Sequence, residues 1–200
     1  MSNNNFLRIA GIAGILNLVC WLGGLGTSSP DLSAPTTPLN DMFFYGVGLT
    51  GIVFTIGLYL LYRQDAATLN LVAAAIAVLG YLLLIIGTLT KVDPTAGGMV
   101  ILVILDGAIG LGMFLFSWLA YSTRRMPRLL SIIGMIGGVA GVLVAVMNQI
   151  TGLGTNPLPE TPITQVVGGV IYGSYTIGLI VWLVWTGIIL VSGKYQPRTA

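Results

Sequence analysis

ATLNLVAAAIAVLGYLLLIIGTLT, residues 67–90, runs without a charged residue or a proline. A helix rises about 1.5 Å per residue, and about 20 apolar residues cross the ~30 Å of a bilayer's hydrocarbon. The stretch reads as a transmembrane helix, and 6–26, 42–62, 98–121, 129–149 and 165–191 read the same way. A membrane β-barrel would instead show alternating segments of about ten residues between turns. None of these stretches holds an internal proline, and all nine prolines are expected in the connections or the tail. The expected fold is an all-α, six-helix transmembrane bundle, one domain over residues 1–200.

Composition supports that reading and narrows the chemistry. The chain is 56% hydrophobic and 7% charged, against roughly a quarter charged in an ordinary soluble domain. A net charge of +2, with basic residues scattered singly or in one short cluster, points away from nucleic acid as a partner. There is no histidine, and Cys20 is the one cysteine. The usual ligand sets for zinc, haem and iron–sulfur centres are therefore missing, and so are Ser-His-Asp and Cys-His sites. No cofactor is expected. Cys20, inside the first span, reads as a small packing residue. Nothing matches a phosphate-binding loop, a dinucleotide fingerprint or a glycosidase carboxylate pair.

Basic residues in short loops stay on the cytoplasmic side. Arg8, Arg63, Arg124, Arg125, Arg128, Lys194 and Arg198 fall on one side of the six spans, and Lys91 falls on the other with Asp31, Asp41, Asp93 and Glu160. The expected topology puts both termini in the cytoplasm and the protein in the cell (inner or plasma) membrane. The aromatics Tyr59, Tyr62, Trp118, Tyr121, Trp182 and Trp185 would form the inner belt, with Trp21, Phe43, Phe44 and Tyr45 in the outer one. The first span lacks an A-x-A cleavage site and has a thin basic flank, so it reads as a retained helix. The cluster STRRMPRLL is explained by topology and by anionic lipid headgroups.

Small residues at four-residue spacing let helices approach closely in lipid. The candidates for helix packing are Gly134 with Gly138, Gly137 with Gly141, Gly169 with Gly173, and Ser174 with Gly178. Ala10 with Gly14 and Ala108 with Gly112 repeat the spacing. They serve contacts within one bundle or, alternatively, a docking face for another membrane subunit.

Asp106, in ILVILDGAIGLG, is the charged residue set deep in a span. An Asp at a helix centre costs about 2.5–3.5 kcal/mol for insertion, so a partner, a proton or water must offset it. Its helical face continues through Gly110, Met113 and Ser117 and should point into the bundle. Asn17, Thr50, Tyr172 and Tyr175 fall at a similar depth, roughly 10–15 Å below the outer interface at helical rise, with Ser174 close by. This layer is either a polar tie joining helix 4 to helices 1 and 6, or a substrate- or ion-binding site.

Three stretches carry a family likeness: RIAGIAGIL (8–16), GLYLLYRQ (57–64) and LAYSTRRMPRLLSIIGMIGG (119–138). In them the chain resembles uncharacterised bacterial membrane families of six to seven helices, known as domains of unknown function. The resemblance implies a fold and no activity, and it carries over no functional residue. Three functions compete. The first is a non-catalytic accessory or structural subunit packing in a larger membrane complex. The second is a small transporter or substrate-binding membrane component, whose layout resembles the vitamin-capturing components of energy-coupling transporters. The third, an intramembrane enzyme, would lack histidine and a paired acid.

Overall fold

The computed structural model describes residues 3–28, 36–91, 99–151 and 161–195. They form six helices: α1 (Asn3–Thr27), α2 (Pro38–Tyr62), α3 (Ala67–Thr90), α4 (Met99–Thr123), α5 (Arg128–Thr151) and α6 (Pro162–Ser192). Each is long and apolar enough to cross a membrane, and no strand occurs among the described residues. The outward faces are apolar too, as at Leu16, Leu71, Leu79 and Ile136. An aqueous surface would not tolerate that coat, whereas lipid favours it. The chain is a multi-pass integral membrane protein. Asp31, Asp93, Glu160 and Arg198, each used above for orientation, lie outside the described residues.

The helices start and stop for local reasons. Pro38 and Pro162 each open a helix instead of lying in a connection, because the first helical turn needs no N–H from them. Thr37 caps α2 by accepting from the Asn40 N–H at 3.2 Å, and Thr161 and Thr164 form a reciprocal capping box at α6. At the other end of α6, Gly193 takes a φ of 68° and closes the helix with a bond from its own N–H to the Ile189 carbonyl.

Consecutive helices pack side by side, and α1 packs against α6, closing the six into a ring. Asn4 accepts from the Tyr195 hydroxyl at 3.1 Å, so the two ends of the described chain meet at one end of the bundle. The 63–66 and 124–127 turns lie at that same end, where Arg125 pairs with Asp65. We call it the basic end. At the far end Lys91 pairs with Asp41 across 3.0 Å.

Glycine sets the closest contacts. A Cβ on Gly178 would fall 2.7 Å from the Gly137 Cα, and one on Gly187 would fall 2.8 Å from the Gly11 carbonyl oxygen. Between α4 and α5, a Cβ on Gly138 would lie 2.6 Å from the Phe114 nitrogen. Real side chains do not fit in such gaps, so backbone meets backbone at α1–α6, α4–α5 and α5–α6. Phe54 and Trp182 meet edge to face at the centre, centroids 5.4 Å apart. Trp182 and the fully buried Tyr62 thus belong to the core and not to an aromatic belt: each is held inward by tight packing around its helix. Trp118 and Tyr121 are exposed, as belt residues should be.

Candidate functional site

The expected polar layer separates into two groups. Asn17, 1% exposed, donates through its amide to the Val47 carbonyl at 2.6 Å and to the Thr50 hydroxyl oxygen at 3.1 Å. Thr50 in turn donates to the Gly46 carbonyl. Both of these predicted residues are therefore used in tying α1 to α2. Asn40 makes a second tie between the same helices, reaching the Gly24 carbonyl at 2.8 Å and the hydroxyls of Thr27 and Ser28.

Asp106 belongs to the other group. Its carboxylate accepts from the Asn148 amide at 3.3 Å, and the Asn148 carbonyl oxygen accepts a short hydrogen bond from the Tyr172 hydroxyl. One polar side chain from each of α4, α5 and α6 joins this chain. Tyr175, buried against α5 where a Cβ on Gly141 would meet its ring, lies within electrostatic range of Asp106 and of Tyr81. Ser174 is half-buried and joins neither group. The tie expected from Asp106 to helix 1 is not made, because the Asn17 amide is engaged by α2. The face of α4 continuing from Asp106 does point inward: Gly110, Met113 and Ser117 are all buried.

Asn148 is the residue that sequence reasoning missed. It sits three positions before the end of α5, about 5 Å of helical rise, where a polar residue reads as part of the interface. The packing of α5 against α4 brings it to Asp106. The Asp106–Asn148–Tyr172 chain opens sideways, with Tyr172 43% exposed. No group of three or more His, Cys, Asp or Glu side chains suited to a metal occurs among the described residues.

Around this chain α6 is bare. No residue from 161 to 174 is buried. Ile163, Val166 and Val170 are 74%, 64% and 62% exposed, and a Cβ on Gly168, Gly169 or Gly173 would meet nothing within 4 Å. Of the glycines expected to pack helices, Gly134, Gly138 and Gly178 do so inside this chain. Gly169 and Gly173 do not: a Cβ on either meets nothing within 4 Å, although Ile171 and Tyr172 beside them reach the bundle. A cavity of about 10 Å³ lies among Phe54, Thr55, Tyr81, Met113 and Trp182, space for about one water molecule.

A third polar feature sits at the basic end. The Arg125 guanidinium meets Asp65 through two contacts, Nε to Oδ2 at 2.7 Å and Nη2 to Oδ1 at 3.1 Å, each side chain 12% exposed. Beside this pair the Tyr62 hydroxyl is enclosed without a hydrogen-bond partner among the described residues. Comparison of the chain with protein-family models, with curated proteins and with solved structures finds no match.

Proposed function

We propose that this chain is a non-catalytic accessory or structural subunit of a larger membrane complex, and that the first half of α6 is where it meets another subunit. The observation that carries this reading is the bare segment 161–174, whose Gly169 and Gly173 offer the four-residue small spacing with nothing upon it. The exposed Tyr172 adds a polar handle on the same face. The small cavity beside Phe54 and Trp182, with space for about one water molecule, fits a packing role. We place the basic end in the cytoplasm and the bundle in the cell membrane, because Arg8, Arg63, Arg124, Arg125 and Lys194 gather there.

Gentle extraction from native membranes tests this. The chain is expected to co-purify with a partner, and Gly169→Ile/Gly173→Ile should abolish the association while the isolated chain keeps its helical content and melting temperature. A monomer without partners, or an unaffected association, contradicts the proposal.

A second reading is supported by Asp106, which has no basic partner among the described residues. Here the Asp106–Asn148–Tyr172 chain anchors a small substrate or a cation in a transport component. Asp106→Asn would then abolish binding or flux; under the first reading it leaves the complex intact.

A further inference from the structure

The two ends of the bundle neutralise their charges differently. At the far end Lys91 is paired with Asp41, so no free cation is left there among the described residues. At the basic end Asp65 is consumed by Arg125. That pair clamps the α2–α3 turn, which carries Arg63 two positions before Asp65, to the α4–α5 turn, which carries Arg124 beside Arg125, with Arg128 opening α5. The side chains of Arg63, Arg124 and Arg128 are exposed, and none has an acidic partner among the described residues.

Two helices add to the same field. α3 and α5 both begin at this end with no acidic residue in the first turn, and Ala66 offers α3 no side-chain cap. At the start of α3 the adjacent carboxylate, Asp65, is engaged by Arg125, and the start of α5 has no acidic residue in its first turn to offset its positive dipole end. Trp118 and Tyr121, 48% and 40% exposed on the last turns of α4, mark the depth at which headgroups lie. Guanidinium groups at that depth match the geometry of phosphate oxygens, which they bind through paired N–H donors.

We infer that Arg63, Arg124 and Arg128 form a binding site for the phosphate of an anionic phospholipid, with the Asp65–Arg125 pair as the clamp that assembles it. The occupant is a lipid of the bilayer leaflet and not free phosphate, because the three cations lie at the membrane boundary beside the exposed aromatics. The clamp contributes position: it takes no phosphate itself, since both Arg125 contacts described above go to Asp65.

The full chain in detergent micelles, titrated with phosphatidylglycerol or phosphatidylcholine and read by native mass spectrometry, tests this. Each basic group near an anionic surface contributes roughly a fivefold preference. Wild type should hold phosphatidylglycerol over phosphatidylcholine, and Arg124→Gln/Arg128→Gln should reduce that preference by roughly 25-fold. Arg8→Gln, at the same end but outside the three-arginine group, should lower it less than Arg63→Gln does, and inorganic phosphate in millimolar excess should displace nothing. Should the double variant fail to fold, Arg63→Gln alone is expected to lower the preference about fivefold. An unchanged preference in the arginine variants, an equal loss in Arg8→Gln, or displacement by inorganic phosphate would each overturn the assignment.

Discussion

The two halves of α6 both carry glycines and have opposite fates. From Tyr175 to Leu190 the helix is pressed into the ring, with Gly178 against Gly137 and Gly187 against Gly11, backbone on backbone. From 161 to 174 it carries three glycines, three valines and two isoleucines but no leucine or tryptophan, and no residue is buried. Four-residue glycine spacing therefore says that a helix can be approached closely, and not that it is. What decides is the element opposite, and opposite the first half of α6 the described residues place Tyr172's link to Asn148 and the packing of Ile171.

That contrast can be broken by substitution. Gly178→Leu should have the largest effect. Its side chain would be driven into the Gly137 backbone, and overpacking of this kind costs about 3 kcal/mol, read as a lower unfolding midpoint in detergent. Next comes Asp65→Asn. Removing one member of a mostly buried pair costs about 3 kcal/mol at full burial, and the residual exposure here brings the expected loss nearer ~2 kcal/mol. Asp41→Asn at the far end breaks a pair whose lysine is 59% exposed and should cost under about 1 kcal/mol. Asn17→Leu removes the tie to Val47 and Thr50 and should cost about 1 kcal/mol, within the range measured for hydrogen bonds between membrane helices. The smallest change is expected from Gly173→Leu, within about 0.5 kcal/mol for the isolated chain. If Gly173→Leu destabilised the isolated chain as much as Gly178→Leu, the two halves would not differ as described.

The number of helices and their approximate limits were legible in the sequence, since hydrocarbon thickness and runs such as 67–90 leave little freedom. Helix ends were less so: Pro38 and Pro162 read as loop residues, because a proline that opens a helix and one that precedes it look alike without the backbone. The inward face of α4 beyond Asp106 followed from helical periodicity. Its partner did not, because Asn148 lies 42 positions away and only the crossing of α4 and α5 unites them. Asn17 and Thr50 were found as polar residues at a shared depth, but depth does not tell which side of the ring a residue occupies. The Asp65–Arg125 pair was hidden for a similar reason. Charges in short turns read as solvated, and 60 positions of sequence separate these two.

The most direct measurement of the central proposal is site-specific photo-crosslinking in native membranes. A photoreactive residue at Val170, on the bare half of α6, should give a discrete protein adduct of defined mass. The same residue at Ile188, 52% exposed on the packed half, should give lipid adducts alone. Protein adducts from Ile188 and none from Val170 would contradict the account, as would lipid adducts alone from both positions.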